Sequence, residues 1–159
     1  MDQLSLGSVT MASNSGLLTG TGAETVYDTT VIIEFAINGK AYRKAAVADG
    51  TTPTTDGNTA AAMTLTANEG TVVVWGLNSS GTVSCYKGST EALDASGAFI
   101  NAPQFPSIPN SICPFAYTIL KGGSTLSGTW TFGSSNWNAT GMTATHVNVF
   151  VLPDRPQVA

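Results

Sequence analysis

Charged residues are scarce in this sequence. Asp, Glu, Lys and Arg make up 10% of its 159 residues, whereas about 25% is typical of globular proteins. Ser, Thr, Gly and Asn take their place, since the apolar fraction of 42% is ordinary. Six basic residues and a net charge of −4 argue against nucleic-acid binding and give no support for binding an anionic membrane. A hydroxyl-rich surface can be desolvated without burying unpaired charges, which favours extensive protein contacts or sugar binding.

The residue types that most often carry catalysis or metal binding are also few. The single histidine, His146, has no carboxylate near it in the sequence, so we expect a wall or interface residue rather than a general base. Cys85 and Cys113 lack a zinc-site spacing, and we expect free, buried thiols. The sequence therefore predicts no catalytic residue, metal or cofactor, and a protein that is not an enzyme. Paired carboxylates from distant strands leave a small glycan-degrading enzyme open as an alternative.

The N-terminal region has isolated apolar residues among Ser, Gly and Thr. Residues 1–12 contain no Lys or Arg and no sustained apolar run, which predicts neither a signal peptide nor a membrane anchor. We expect residues 1–25 to form an extended arm that lies on another surface, with a frayed terminus as the alternative. Residues 26–159 are expected to form a single domain. The candidate interface residues of the arm are its larger apolar side chains: Leu4, Leu6, Val9, Leu17 and Leu18.

The clearest local signal is the turn Asn38-Gly39 between two β-rich runs. Asn-Gly favours a two-residue hairpin turn, in which both residues take positive φ. Such a turn places Phe35 opposite Tyr42 on one face and Glu34 opposite Arg43 on the other. The register of this hairpin is therefore predicted by the turn, by an aromatic pair and by an ion pair.

Further short runs with β propensity follow. Residues 63–66, 71–77 and 82–86 are separated by turn residues and predict a three-stranded meander. The middle run is apolar on both faces, as expected for a central strand. Frequent turns and the lack of a long helical pattern indicate an all-β protein, namely a β-sandwich with the jelly roll as one form of it.

The last third of the sequence combines a Pro-rich loop with alternating strands. The loop at residues 103–114 has prolines at three-residue spacing, which is typical of polyproline II and predicts a strut packed between sheets. Alternation then predicts a buried face with Leu126, Trp130 and Phe132. A final strand at residues 145–152 is expected to turn three valines inward: Val147, Val149 and Val151.

The tryptophans divide into core and contact candidates. Trp75 and Trp130 lie on inward faces of predicted strands and are expected in the core. Trp137 lies in a polar loop between Asn136 and Asn138, where an exposed ring would be available for a contact. We therefore expect Trp137 to contact a neighbouring subunit or a sugar.

Four short motifs resemble structural proteins that decorate or cement the capsids of tailed bacteriophages. They are VVVWGLN at residues 72–78 followed by Gly81, PSIP at 106–109, CPFAY at 113–117 and VLPDRP at 151–156. The resemblance covers roughly residues 60–156. It implies a small β-sandwich that trimerises on the outer capsid surface and ties neighbouring major capsid proteins together. It transfers no catalytic residue.

These observations lead to one hypothesis and its alternatives. The leading hypothesis is a virion protein of the outer capsid surface that bridges major capsid proteins, as a homotrimer and without nucleic-acid or membrane partners. Arg155, in the C-terminal motif, joins the candidate interface residues because basic residues are so few. The alternative is a receptor- or carbohydrate-binding head of a fibre or spike, with Trp137 as the sugar platform.

Overall fold

A computed structural model describes residues 10–19, 25–154 and 156, and within them the chain is all-β, with no helix. This confirms the predicted fold class. The strands in these residues are β1 (Met11–Ala12), β2 (Leu17–Thr19), β3 (Val26–Thr29), β4 (Ile33–Ile37), β5 (Lys40–Lys44), β6 (Val47–Thr51), β7 (Thr64–Leu65), β8 (Glu69–Leu77), β9 (Val83–Ala92), β10 (Cys113–Gly122), β11 (Trp130–Thr131) and β12 (Met142–Asn148).

The largest sheet is antiparallel, with the strand order β12-β10-β8-β9. Its central strand β8 is buried along nearly its whole length, as the run of apolar residues predicted. Because successive side chains of a strand point to opposite faces, Val73 and Trp75 join one core while Val72 and Val74 join another. The central sheet is therefore covered on both sides.

The first core joins the central sheet to three smaller sheets. These have the strand orders β1-β4-β5, β2-β3-β6 and β11-β7. Phe35 of β4, Tyr27 of β3 and Leu65 of β7 are buried in the same cluster as Trp75 of the central sheet. Sheets that face each other across an apolar layer give a sandwich-like architecture. The jelly-roll form of it stays a prediction.

The Pro-rich segment covers the second face of the central sheet. The Phe105 ring meets the Tyr117 ring edge-on, with centroids 5.1 Å apart. The Ser89 amide of β9 donates to the Gln104 carbonyl over 3.1 Å. Pro103 is buried, but Ser107 and residues 109–111 are exposed. The segment is packed as predicted, yet it lies over one sheet rather than between two sheets.

The predicted hairpin of β4 and β5 is confirmed. Asn38 and Gly39 have φ angles of 51° and 76°. Phe35 lies opposite Tyr42, as predicted, and Glu34 lies opposite Arg43 in the same register. The two aromatic rings stack with centroids 5.5 Å apart and planes at 23°. The register that the local turn signal predicted for this hairpin is therefore the one observed.

Three predictions about strands are wrong. The first run, β7, pairs with β11 and not with β8, so the meander reduces to the hairpin of β8 and β9. The alternating segment around Trp130 buries the expected side chains, but only Trp130–Thr131 forms a strand. The final strand ends at Asn148, which leaves Val151 58% exposed instead of inward.

The expected N-terminal arm is described in part. β1 pairs with β4 and β2 pairs with β3 of the same chain. Asn148 of β12 accepts hydrogen bonds from the Ser15 hydroxyl and, over 3.0 Å, from the Leu17 amide. Residues 10–19 therefore lie on their own domain. Residues 1–9 and 20–24 of the predicted arm lie outside the described residues.

Candidate functional site

An open groove of about 720 Å³ crosses the sheet β1-β4-β5. Its lining is mostly apolar. It comes from the neighbouring strands β4 and β5, from β1 with the residue after it, and from the segment after β12. The lining residues are Met11, Ala12, Ser13, Glu34, Phe35, Ala36, Ala41, Tyr42, Arg43 and Phe150. The groove is an open and mostly apolar depression on this face of the sheet.

The floor of the groove follows from strand alternation. Phe35 and Tyr42 lie opposite each other, and Phe35 is buried in the core below. Ala36 and Ala41, one residue further along each strand, also lie opposite each other and point to the other face. Two alanines side by side leave a depression where larger side chains would fill the surface.

Large exposed apolar side chains border this floor. Met11 lies opposite Ala36 and is 48% exposed. Phe150 is 64% exposed and is tied to β1, because the Ala12 amide donates to the Phe150 carbonyl over 2.9 Å. Exposed side chains of this size cost hydrophobic free energy, and a cluster of them marks a contact surface.

Basic residues cluster on β5, the strand that forms one side of the groove. Lys40, Arg43 and Lys44 lie within the five residues of β5, although the whole chain has only six basic residues. The Lys44 ammonium donates to the Gly81 carbonyl over 2.7 Å, and Lys40 lies 5.5 Å from the Tyr42 ring centroid. Glu34 is the acidic residue opposite Arg43. Strand alternation puts Arg43 on the groove face together with Glu34, while Lys40 and Lys44 turn to the opposite face with Tyr42.

A second polar arrangement joins buried Trp75 and Thr118 to the half-buried His146 of the edge strand β12. The Trp75 indole N–H donates to the Thr118 hydroxyl oxygen over 2.7 Å, and that hydroxyl lies 2.7 Å from Nδ1 of His146. Trp137 packs at right angles to the imidazole, with centroids 6.1 Å apart. Burial lowers the pKa of His146 to about 4, so the ring is neutral at pH 7. Its Nε2 atom is buried and has no hydrogen-bond partner among the residues that the structure describes.

This arrangement suits packing better than proton transfer. A general base works best with a pKa near the working pH, and the pKa of His146 lies well below that range. The groups that contact the ring are the Thr118 hydroxyl and the Trp137 indole. His146 is half-buried and packs against these two groups.

Trp137 is not the exposed contact residue that the sequence predicted. It is 6% exposed, and its indole N–H donates to the Val26 carbonyl over 2.9 Å. Its ring packs against Trp130 and Phe132, at centroid distances of 5.6 Å and 5.2 Å. The polar loop folds over this aromatic cluster and buries the one large apolar side chain that it carries. The sugar platform expected at Trp137 is therefore not offered to a ligand.

The other candidate interface residues fall in three groups. Leu17 is 2% exposed and belongs to the core of its own chain, so it is not free to contact a partner. Leu18 lies in β2. The remaining candidates lie outside the described residues: Leu4, Leu6, Val9 and Arg155.

The cysteines behave as predicted. Cys85 and Cys113 are free and buried. They lie on the two strands that flank β8, opposite Trp75 and Leu77 respectively. Burial raises the pKa of the Cys113 thiol to about 11 and raises that of Cys85 well above its usual value, so both thiols are protonated at pH 7.

Metal ligands do not converge in the part of the chain that is described: no group of three or more His, Cys, Asp or Glu side chains is placed to hold an ion. The same residues include no helix long and apolar enough to span a membrane.

The groove itself was missed by sequence reasoning. Its two exposed borders, Met11 and Phe150, are 139 positions apart in the sequence, and a hydrogen bond between Ala12 and Phe150 holds the two segments together. The available signal was the pair Ala36 and Ala41, which the predicted register already placed side by side. Comparison with known proteins adds no further guide, since no family model, curated protein or solved structure matches this chain.

Proposed function

We propose that this chain is a virion structural protein that decorates the outer surface of a bacteriophage capsid and stabilises it by bridging neighbouring major capsid proteins, as a homotrimer. The observation that carries the proposal is the apolar groove with its exposed borders, Met11 and Phe150, on a surface with few charges. Such a surface suits a permanent protein contact.

The cost of dehydrating the surface supports this function. Burying an unpaired ionised group costs much free energy, and burying a hydroxyl group costs less. A protein with 10% charged residues and exposed apolar side chains can bury a wide surface against a neighbour at low electrostatic cost. On a capsid the same contact recurs by symmetry, and linked contacts strengthen one another through avidity.

The two-faced packing of the central sheet supports a mechanical role. Side chains on both faces of β8 are fully buried, including Val72, Trp75 and Leu77. Two cores on one sheet make the scaffold below the groove stiff, which suits a clamp that resists strain in a shell.

The four motifs that resemble capsid-decorating proteins give the proposal its partner, the major capsid protein.

The test is co-sedimentation of the purified chain with capsids that lack it. We expect Phe150→Ser to weaken capsid binding by about tenfold or more, since truncating one central apolar contact commonly costs above about 1.4 kcal/mol. Ile100→Ser is the matched control, because Ile100 is 62% exposed and its amide bonds to Ala92, at the end of β9 remote from the groove. Equal binding by the chain and both variants, or no binding by the chain itself, would contradict the proposal.

The contribution of the N-terminal residues needs a separate variant. Deleting residues 1–22 would also remove β1, β2 and the buried Leu17, so loss of binding could reflect unfolding. Deleting residues 1–9 stops before Thr10 and spares both strands. If these residues cross to a neighbouring subunit, the shortened chain loses its trimer in light scattering while its thermal transition is unchanged. A trimer that persists at full capsid affinity would remove the arm from the proposal.

A further inference from the structure

The strand β5 lies at the edge of its sheet. In the described residues it pairs with β4 alone. The two-residue turn closes between Ile37 and Lys40, and antiparallel pairs alternate between hydrogen-bonded and non-hydrogen-bonded positions. The N–H and C=O groups of Ala41 and Arg43 therefore point away from β4. No described residue pairs with these four backbone groups, which lie in line and form a template for an added strand.

The groove lies next to this edge on the same face. Ala41 and Arg43 line both the edge and the groove, and Ala36 continues the floor towards Met11. A strand added beside β5 would turn alternate side chains to this face. The side chain opposite Ala41 would lie over the small alanines, where a large apolar group fits.

The charges on β5 define the partner. Arg43 is exposed on the groove face, where Glu34 lies opposite it on β4, and Lys40 is exposed on the opposite face beside Tyr42. Lysines on an edge strand discourage pairing with further strands in general. They discourage it most for a second copy of this chain, because two β5 strands would bring like charges together. A strand with acidic side chains would instead be attracted by the basic side chains of β5.

We propose that β5 and the groove bind an extended segment of a partner protein as an added antiparallel or parallel strand. The segment carries a large apolar residue opposite Ala41 and an acidic residue, two positions away, opposite Arg43. This inference goes beyond the proposed function, because it assigns a surface and a ligand chemistry that hold whichever protein supplies the segment.

The test uses two synthetic peptides with the isolated full chain. The sequence Thr-Glu-Thr-Leu-Thr-Glu-Thr presents Glu, Leu and Glu on one face in either strand direction, and Thr-Lys-Thr-Leu-Thr-Lys-Thr is its charge-reversed control. Nuclear magnetic resonance titration should show the Glu peptide shifting the amide signals of Ala41 and Arg43. The Lys peptide should bind at least about tenfold more weakly, since it places like charges together.

Two variants separate backbone pairing from charge. Ala41→Pro removes an outward N–H without touching the ladder to β4, so it should abolish binding of the Glu peptide. Arg43→Glu keeps the backbone and should reverse the preference towards the Lys peptide. Equal response to both peptides, or none to either, overturns the inference. Self-association that is lost in Ala41→Pro would assign the edge to a second copy and overturn it as well.

Discussion

Lowering the pH should destabilise this fold through one side chain, His146. Its imidazole is held neutral in the sandwich between the Thr118 hydroxyl and the Trp137 ring, and its Nε2 atom is buried. Because the Trp75 N–H already donates to the Thr118 oxygen, the Thr118 hydroxyl is free to donate to Nδ1. Protonation would place a second donor at Nδ1 and a charge in an apolar layer.

The size of the effect follows from the two pKa values. Burial lowers the pKa of folded His146 to about 4 from an ordinary value of 6.5. Between these values the unfolded chain binds a proton that the folded chain does not bind, so the free energy of unfolding falls as the pH falls. The loss is about 2.5 kcal/mol at pH 4.5 and has a limit of about 3.4 kcal/mol at lower pH. A typical domain has only about 5–15 kcal/mol in total.

Urea unfolding at pH 7.5 and pH 4.5 measures this loss, and His146→Gln is the matched control because Gln can accept from Thr118 but does not titrate. Hydrogen bonds from Thr66 and Ser96 also lower the pKa values of Glu69 and Asp94 respectively. Protonation of these two carboxylates in acid therefore lowers the free energy of unfolding as well. Their contribution cancels in the difference between the two proteins. His146 is the single histidine, so its ring signals titrate without overlap in nuclear magnetic resonance spectra. A titration midpoint above pH 6, or equal acid losses in both proteins, would refute the reasoning.

Two further predictions concern the packing on either side of the central sheet. Thr118→Val should cost about 1–3 kcal/mol in urea unfolding, because it leaves the buried Trp75 N–H without an acceptor. A Thr118→Ser variant that lost as much would contradict this. Gly88→Ala should cost about 1–3 kcal/mol, because the added Cβ would overlap the Gln104 carbonyl oxygen. It should also speed proteolysis within residues 103–114, and an unchanged cleavage rate would show that the Pro-rich segment is held elsewhere.

Local signals predicted the parts of the fold that are close in sequence. The Asn38-Gly39 turn gave the register of its hairpin, because two adjacent residues with positive φ leave one way for the strands to meet. The apolar run of β8 predicted a strand buried on both faces. The pairing of β7 with β11 joins strands of two residues each that are more than 60 positions apart, and no turn links them. Such pairings depend on the packing of the whole core.

The candidate site was harder to predict than the fold. Trp137 was expected at the surface because its neighbours in sequence are polar, yet Asn136 helps to bury the cluster by accepting the Trp130 indole N–H over 2.9 Å. Exposure depends on what a loop folds against, which its composition does not state. Phe150 lies in an apolar stretch that reads as a strand, and it is exposed because β12 ends two residues before it.

The construction of the groove makes its binding role separable from stability. Its floor residues alternate with Phe35 and Tyr42, so the sheet is anchored from the opposite face by an aromatic pair. The backbone carbonyl of Phe150 accepts the hydrogen bond from the Ala12 amide of β1, and a side-chain substitution leaves this bond in place. Phe150→Ser and Arg43→Glu therefore change what the surface offers to a partner while the core below it stays packed. Loss of binding in these variants, at an unchanged thermal transition, measures the contact itself.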